Sequence, residues 1–467
     1  MVDLDGTLTR VDTLHEQIVR AALRRPWQLL GTVPALLRSR AHFKAALSQI
    51  APPPGPVPWN DAVLTAIRRH SGANTFVCTA SNQAYAEHLC RRGGLELPVF
   101  GSDDAVNLKG LAKATFLRQR FGTRGFTYVG NERADLPVWR EAAKAMVVSS
   151  DVSLVQRART VCPAVEHLPA PRPLILASLA RAVRPHQWAK NLLLFVPILT
   201  SHRFAELPLL LQGGAAFVAF CLLSSATYLL NDLVDLDADR QHRSKKFRPF
   251  ASGELSVLWG FPLFVALTAA GLGLAACVSP PLGWVSGGYV VATLLYSTWI
   301  KKLALLDVYV LAGLYTLRLV AGGAATGIAI SVWLAAFSIF LFLSLALCKR
   351  YAELRELPTD SGGSLRGRGY QSADTAFVLA HGLVAMGCAS LVLAVYLSSE
   401  TVALLYSFPA LLWIAVLIVS YWGGRLWLLT ARGQMHDDPV LFALRDRTSW
   451  LCLLLLLGVF FGAMLLR

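Results

Sequence analysis

The chain has 467 residues, enough for two or three domains of ordinary size. Hydrophobic residues make up 55% of it and charged residues only 16%, and the mean hydropathy is +0.49. These values exclude a wholly soluble globular protein and indicate a membrane protein with a soluble part. The net charge is +15, but the cations cluster beside apolar runs. Orientation in a membrane and phosphate binding therefore explain them better than nucleic acid does, and we expect no nucleic-acid partner.

The cysteines and the first residues favour a chain without disulfides and without a signal peptide. Eight cysteines are scattered along the chain and no CxxC pair occurs. We expect them to be small core residues in a reducing compartment rather than disulfide or zinc ligands. The chain starts with an acidic, turn-forming DLDGT segment, so we expect no signal peptide.

Residues 1–155 are predicted to form a soluble α/β domain. Residues 13–70 have helical patterns interrupted by the proline-rich run 52–58. The remaining elements, in chain order, are a strand at 75–78, a helix at 83–92, a helix from 107 to about 121, and a strand at 126–129. Alternating strands and helices predict an open sheet whose functional crevice lies at the carboxyl ends of its strands. Several prolines then indicate a linker over residues 156–173.

Acidic and polar residues follow the predicted strands in a recognisable order. Asp3-Leu4-Asp5-Gly6-Thr7 comes first, and Thr79, Lys109 and Asp135 come later. In this order they resemble the haloacid-dehalogenase (HAD) superfamily of phosphatases over about residues 1–150. The resemblance implies a Rossmann-type sheet with residues 13–70 as a helical cap. It makes Asp3 the nucleophile that forms an aspartyl-phosphate and Asp5 the general acid and base.

The same resemblance implies roles for the other residues. Thr79 would bind phosphate, Lys109 would balance its charge with Lys113 as the reserve, and Asp135 would hold Mg²⁺ together with Asp3. Two departures from the family are visible, since Asn131 stands where an acidic residue is usual and only two residues precede Asp3. A strand that carries a nucleophile normally needs about five residues. A retained but inactive domain is therefore the alternative to an active phosphatase.

Residues 174–467 are predicted to be an all-α polytopic membrane domain. A spanning helix needs about 20 apolar residues, and stretches close to that length predict about nine transmembrane helices. They lie near 188–202, 207–230, 257–279, 281–299, 306–329, 331–348, 374–398, 401–422 and 449–466. Lysines and arginines concentrate in alternate loops, which we expect to face the cytoplasm. The N-terminal domain would then lie on the cytoplasmic side of the cell (inner) membrane, and the C-terminus outside.

The segment 231–249, NDLVDLDADRQHRSKKFRP, follows the second predicted span and holds four carboxylates and five cations. On a continuous helix, Asp232, Asp235 and Asp239 would share one face and repel each other. A divalent cation would relieve this repulsion. Mg²⁺ fits best because it takes one or two carboxylates together with phosphate oxygens. The alternative is an ordinary charged loop between two membrane helices.

Other polar residues fall on the same predicted side of the membrane. Lys190, Tyr296, Lys301 and Arg318 are predicted to contact phosphates, while Asn231 and Asp307 complete a polar wall. Ionisable groups at membrane depth usually mark a functional cavity. Carboxylates for a metal, together with cations for phosphate, predict a diphosphate site. For each single cation, a role in membrane orientation alone is the alternative.

The pattern NDxxDxxxD resembles the UbiA superfamily of membrane prenyltransferases over about residues 175–467. RPxxWxKN at 184–191, the single Asp307 in LLDVYVLAGLYTLR and the KRYAE segment are most similar to its decaprenyl-phosphate phosphoribosyltransferase branch. This branch implies that a polyprenyl phosphate attacks phosphoribosyl pyrophosphate and that diphosphate leaves. A HAD domain could then remove the 5-phosphate of the product. The alternatives are a prenyl diphosphate donor with an aromatic or other acceptor, and a cation transporter. Assembly into a homo-oligomer is left open.

Overall fold

The computed structural model describes residues 1–51, 55–69, 74–103, 106–170, 174–357, 363–365, 367–399, 402, 406–435 and 438–465. These residues form two compact units. The first comprises Met1–Arg184 and Tyr228–Val265, and the second comprises Pro185–Thr227 and Ala266–Arg467. The Asp-rich segment thus groups with the N-terminal part of the chain.

Parallel strand pairs form the centre of the first unit. Val77–Asn82 pairs with Val99–Ser102, and Lys144–Val148 pairs with both Thr127–Gly130 and Val165–Leu168. Val2 makes parallel bridges to both Val77 and Val129. The first residues thus take the place of a short strand and bring Asp3 to the carboxyl end of the strand Thr127–Gly130.

Successive residues of these strands are buried on opposite faces. Ala145 and Val147 pack into a cluster with Trp139 and Tyr128, whereas Met146 and Val148 pack into another with Leu4 and Leu8. Burial on both faces is typical of a parallel sheet covered by helices. The helices of this region are Thr13–Arg24, Pro26–Leu30, Val33–Arg38, Arg40–Ile50, Asp61–Arg69, Gln83–Arg92, Leu111–Phe121, Leu136–Glu141, Val152–Val161 and Ile175–Ala182.

The segment predicted to be a linker has regular structure. It holds the end of the helix Val152–Val161, and the strand Val165–Leu168, which is hydrogen-bonded to Lys144–Val148. The prolines that suggested a linker flank this edge strand, where a missing N–H group costs little. Residues 52–54 and 171–173, which hold part of the predicted proline-rich segments, lie outside the described residues.

A buried arginine fixes the Asp-rich segment within the first unit. Arg240 donates to both carboxylate oxygens of Glu16, at 3.1 and 2.7 Å, and to the carbonyls of Pro56 and Ala251 at 3.0 and 3.2 Å. The side chains of Arg240 and Glu16 are only 3% and 2% exposed. A second pair joins Arg20 to Asp237. The helix Thr13–Arg24 is therefore anchored to residues more than 200 positions away.

We expect Glu16→Ala to destabilise the first unit by about 3–5 kcal/mol, because it leaves Arg240 buried without its ionic partner. The reaction of a thiol reagent with Cys78, which is fully buried, reports the opening of this unit. The labelling rate should rise roughly a hundredfold or more. Arg24→Ala is the control, since Arg24 is 60% exposed and 3.7 Å from Asp237, and it should leave the rate almost unchanged. Equal labelling rates in the wild type and Glu16→Ala would show that this ion pair does not hold the unit closed.

Seven helices among the described residues are long and apolar enough to span a membrane. They are Leu207–Val234, Val257–Val278, Leu306–Thr326, Val332–Arg355, Ser372–Leu397, Pro409–Ala431 and Arg447–Met464. The corresponding α-helices are Leu207–Val234, Gly260–Val278, Leu306–Thr326, Val332–Arg355, Thr375–Leu397, Trp413–Ala431 and Arg447–Leu465. Together they fit a multi-pass membrane protein.

Two of the nine predicted spans differ from the structure. Residues 188–202 do not form one long helix but a 3₁₀ helix, Pro185–Phe195, followed by the short helix Val196–Thr200. The stretch 401–422 is shifted, because its helix begins near Pro409 and extends to Ala431. An apolar run does not mark where these segments begin, since prolines stand in the first turns of Val196–Thr200 and Pro409–Leu412. The stretch 281–299 forms the helix Pro280–Thr298 within one residue of the prediction, although it is not among the seven.

Candidate functional site

The Asp-rich motif lies where one long helix ends. The helix Leu207–Val234 stops before Asp235, and the short helix Leu236–Gln241 follows. Hydrogen bonds from the N–H of Asp235 to Asn231 and from the N–H of Asp239 to Asp235, both 2.8 Å, continue across the break. The motif is therefore nearly helical, with one break at Asp235.

Two arginines meet the carboxylates of this motif. Arg184 forms an ion pair with Asp232. Arg248 is 3.2 Å from Asp232 and 2.5 Å from Asp239, so it bridges the two. Asp232 and Asp239 are 2% and 3% exposed. Arg248 thus brings the two buried carboxylates together, and with Arg184 it offsets their repulsion.

Two buried acceptor oxygens of the motif have no hydrogen-bond partner. They are Oδ2 of Asp232 and Oδ1 of Asn231, which belong to two consecutive residues. A buried acceptor without a partner is costly, and such groups often face a ligand or an ion. Among the described residues no group of three or more His, Cys, Asp or Glu side chains could hold a metal ion alone. A carboxylate and an amide oxygen nevertheless suit Mg²⁺ when substrate phosphates supply further ligands.

The remaining carboxylates of the motif differ in environment. Asp237 is bound by Arg20, with one N–O distance of 2.9 Å, so its role is to hold the helix Thr13–Arg24. Asp235 is half-buried at the break between the two helices. The four carboxylates therefore have different environments. Asp232 and Asp239 share the cation Arg248, and Asp237 is structural. Asp235 lies at the break between the two helices.

In the second unit, Asp307 is the centre of a buried charge cluster. It is fully buried and accepts hydrogen bonds from Arg350 and from the hydroxyl of Tyr370, both at 2.7 Å. Arg368 lies 3.5 Å from the same carboxylate and donates to the hydroxyl of Tyr296 at 2.9 Å. Asp307 thus holds two arginines and, through Arg368, the predicted phosphate ligand Tyr296.

We expect Asp307→Ala to lower the stability of the second unit by about 3–5 kcal/mol, because Arg350 is buried and loses its partner. Thermal unfolding in detergent measures this as a lower Tm. Arg203→Ala removes a cation from an exposed pair with Glu206 and is the matched control, with no change expected. A wild-type Tm for Asp307→Ala would contradict the anchoring role.

Lys190 is held by an aspartate near the C-terminal end of the chain. Its Nζ atom lies 2.9 Å from Oδ2 of Asp438, and Lys349 lies 3.5 Å from the same atom. Although burial raises the pKa of Asp438, the two lysines and a backbone hydrogen bond outweigh it and lower the pKa to about 2. Lys190 also lies 5.5 Å from the centre of the Tyr315 ring. Two lysines converging on one carboxylate leave a net positive charge there, which suits a phosphate.

Arg318 and Lys301 are placed differently. Arg318 donates to Asn191 at 3.0 Å, to the Leu314 carbonyl at 2.7 Å and to the Tyr289 hydroxyl at 3.1 Å. Its contacts are internal to the helices, so the predicted contact with phosphate has no support from them. Lys301 lies in the 3₁₀ turn Ile300–Lys302 after the helix Pro280–Thr298.

In the first unit, Asp3 is paired with Lys113. Oδ1 of Asp3 lies 2.8 Å from Nζ of Lys113, which also donates to the hydroxyl of Tyr128 at 2.7 Å. Burial raises the pKa of Asp3 to about 7, although Lys113 opposes the shift. Lys109, predicted for this position, instead faces Glu132 at 3.1 Å and is half-exposed. The reserve residue Lys113 therefore takes the place beside Asp3.

Asp5 receives three hydrogen bonds at the same edge. They come from the backbone N–H of Thr13 at 2.7 Å, the Ser81 hydroxyl at 2.8 Å and the Thr79 hydroxyl at 3.4 Å. Gly6 has φ = +69°, and a Cβ atom there would collide with the side chain of Asn131. The tight turn after Asp3 therefore needs glycine.

Asp135 is buried and organises the loop after the strand Thr127–Gly130. Its Oδ2 atom accepts from the backbone N–H groups of Asn131 and Glu132, both at 3.0 Å, and its Oδ1 atom accepts from the Tyr128 hydroxyl at 3.2 Å. Asp3, Asp5, Lys113 and Asp135 line one cavity of about 230 Å³. The structure thus brings together Asp3, Asp5 and Asp135.

Several residues of these clusters were not among the sequence candidates. They are Arg184, Arg248, Asp438, Arg350, Arg368 and Tyr370. Arg184 and Arg350 lie inside the motifs RPxxWxKN and KRYAE, and Arg248 is one of the five cations of the segment 231–249, so the sequence carried a signal for these three. For Asp438, Arg368 and Tyr370, separations of 40 residues or more from their partners left no local signal.

The sequence model of the UbiA prenyltransferase family matches residues 193–445, more than half of the chain. The chain belongs to the UbiA prenyltransferase family. UbiA-family transferase activity is thereby supported, and so is the predicted membership. The matched residues include the whole Asp-rich motif and Asp307. Lys190 lies just before them.

The relatives of this UbiA-family chain differ in how much of it they match. An uncharacterized protein of Sinorhizobium fredii is 38% identical over 466 residues, covering 99% of this chain and 90% of that protein. The nodulation protein NoeC of Azorhizobium caulinodans is 38% identical over 290 residues, 60% of this chain and 91% of NoeC. A decaprenyl-phosphate phosphoribosyltransferase of Mycobacterium tuberculosis is 31% identical over 287 residues, which cover 58% of this chain and 89% of that protein. About two fifths of this chain is thus matched by the first relative and not by the other two.

A UbiA homologue from Archaeoglobus fulgidus bound to GPP and Mg²⁺ is similar in structure. The TM-score is 0.46 at 16% identity, and the match covers 61% of this chain and 99% of that one.

Proposed function

We propose that this UbiA-family enzyme transfers the 5-phosphoribosyl group of phosphoribosyl pyrophosphate to a polyprenyl (decaprenyl) phosphate and releases diphosphate. The observation that carries the proposal is the pair of unpartnered buried oxygens on Asp232 and Asn231, beside Arg184 and Arg248. The similarity to the Mycobacterium tuberculosis protein supports the choice of donor and acceptor. The reaction would take place on the cytoplasmic side of the cell membrane.

The residues would act mainly by holding charge. Asp232 and Asn231, with Asp235 and Asp239, would hold Mg²⁺, which stabilises the negative charge that develops on the departing diphosphate. Arg184 and Arg248 provide fixed positive charge at the same carboxylates. The lipid phosphate is already an anion, so it needs positioning more than a base. Lys190 and Lys349 are the cations that we assign to a phosphate group, with Asp438 keeping them oriented.

We expect Asp232→Asn and Asp239→Asn to reduce this transfer about a hundredfold or more, because each removes negative charge from the site that holds the cation and the diphosphate. The measurement is the incorporation of radiolabel from phosphoribosyl pyrophosphate into lipid by the full chain in detergent. Asp237→Asn is the matched control within the same motif, since Asp237 binds Arg20, and it should retain activity within a few-fold.

The second candidate is a UbiA-type transfer of a prenyl group from a prenyl diphosphate to an aromatic or other acceptor, which the family membership favours. The same assay with labelled prenyl diphosphate separates the two. Labelled product from prenyl diphosphate alone would contradict phosphoribosyl transfer.

We further propose that the N-terminal site removes the 5-phosphate from the product. The supporting geometry is the Asp3–Lys113 pair at 2.8 Å in a cavity that also contains Asp5 and Asp135. A carboxylate oxygen of Asp3 would attack phosphorus, the ester P–O bond would break, and Asp5 would give its proton to the leaving hydroxyl. Water would then hydrolyse the aspartyl-phosphate, with Asp5 accepting its proton, and inorganic phosphate would leave.

Asp3 must be ionised to act as the nucleophile, so its raised pKa sets a pH dependence. Below about pH 7 the carboxyl group is protonated, and above it the carboxylate is available. We expect phosphate release to rise with pH through about 7 and then to level off. Asp3→Asn should release no phosphate at any pH. A rate that is constant from pH 5 to 8 would contradict the assignment of Asp3 as the nucleophile.

A further inference from the structure

A second cavity adjoins the one that contains Asp3. The two cavities share three lining carboxylates, Asp5, Asp12 and Glu132. The second has a volume of about 260 Å³, and all its lining residues belong to the first unit. Part of its lining is the segment 253–257, which we call the wall segment and which follows the Asp-rich motif in the sequence. The two cavities are therefore neighbours, with the shared carboxylates at their common border.

The wall segment is fixed in place from three sides. Arg240 donates to the carbonyl of Ala251, just before it, at 3.2 Å. Gly253 has φ = +78°, and a Cβ there would lie 2.9 Å from Cγ1 of Val11. The Ser256 hydroxyl lies 3.3 Å from Nδ1 of His15. The segment is thus packed closely against residues near the start of the chain, so that the cavity has a defined shape.

The lining residues suit a hydroxyl-rich ligand. The carboxylates of Asp5, Asp12 and Glu132 can accept hydrogen bonds from hydroxyls. Arg10 and His15 can donate to ligand oxygens. The apolar lining residues can contact the C–H face of a sugar ring. They are Val11, Leu255 and Val257.

The size of the cavity agrees with this chemistry. Small-molecule sites usually measure about 300–1,000 Å³, and this cavity is slightly smaller. It therefore suits a single sugar ring rather than a nucleotide or a lipid chain. Charge also assigns the two ends of the ligand, because the cation Lys113 lies in the other cavity, beside Asp3.

We propose that the second cavity is a sugar-binding subsite, walled by residues 253–257, for a phosphate monoester whose phosphate enters the Lys113 cavity. The inference deepens the proposed phosphatase function and rests on it for the chemistry, but it predicts a binding preference that can be measured without turnover. Residues that follow the Asp-rich motif would then decide which phosphate esters the N-terminal site accepts.

The test compares the binding of ribose 5-phosphate and inorganic phosphate to the full chain in detergent, by calorimetry, in an Asp3→Asn background that prevents turnover. Ser256→Trp is the test variant, because Ser256 lines the cavity and is exposed, so that a large side chain there fills the cavity. Ser256→Ala, which removes only the contact with His15, is measured beside it and should leave the Kd of ribose 5-phosphate near that of the background. Glu254→Gln is the matched control within the same segment, since Glu254 faces Arg181 and Ser178 and does not line the cavity.

We expect ribose 5-phosphate to bind more tightly than inorganic phosphate, and Ser256→Trp to raise its Kd about tenfold or more by closing the subsite. The Kd of inorganic phosphate should not change in either variant, and Glu254→Gln should resemble the background. Equal affinity for the two ligands, or an unchanged Kd in Ser256→Trp, would overturn the subsite. Absence of phosphate release by the wild-type chain, relative to Asp3→Asn, would instead contradict the proposed phosphatase step and leave the binding result standing.

Discussion

Arg248 touches both Asp232 and Asp239, and the Asp-rich motif depends on this shared contact. Two buried carboxylates so close in the chain would otherwise repel each other in a medium of low polarity. Arg184 adds a second positive charge at Asp232. Because both cations reach the same oxygen of Asp232, its other oxygen remains without a partner. A carboxylate that holds a ligand thus has one oxygen paired with cations and the other oxygen without a partner, whereas a structural carboxylate has partners at both oxygens.

The same criterion separates the other buried acids of the chain. Asp307 has both oxygens occupied, by arginine and by tyrosine, and Asp237 is bound by the guanidinium of Arg20. The protein itself supplies the hydrogen-bond and ionic partners of these two carboxylates. In a UbiA-family chain, where acidic residues near the membrane invite a catalytic assignment, the pattern of partners therefore says more than the residue type.

Local patterns in the sequence predicted much of the architecture. The helix Gln83–Arg92 and most of the long apolar helices lie close to where periodicity and hydropathy predicted them. UbiA-family membership could also be predicted, because the motif NDxxDxxxD is contiguous. The strand Val165–Leu168 was missed, since a four-residue edge strand between prolines resembles a linker.

Side-chain partners were much harder to predict. Lys109 and Lys113 differ by about one helical turn, yet Lys109 precedes Gly110, whose φ is +60°, and Lys113 lies inside the helix that begins at Leu111. The position and direction in which this helix begins therefore decide which of the two lysines faces Asp3. Likewise, no local pattern could pair Asp237 with Arg20, which lies 217 positions earlier.

The four-point anchoring of Arg240 has a consequence for how such a chain can change over evolutionary time. One guanidinium joins an acidic side chain near the beginning of the sequence to two backbone carbonyls, one of them just before residues 253–257. A foreign module grafted in place of residues 1–155 would have to bring an acidic partner of its own to the position of Glu16. Recombination between homologues should therefore succeed only when the N-terminal segment supplies an acidic residue at that position.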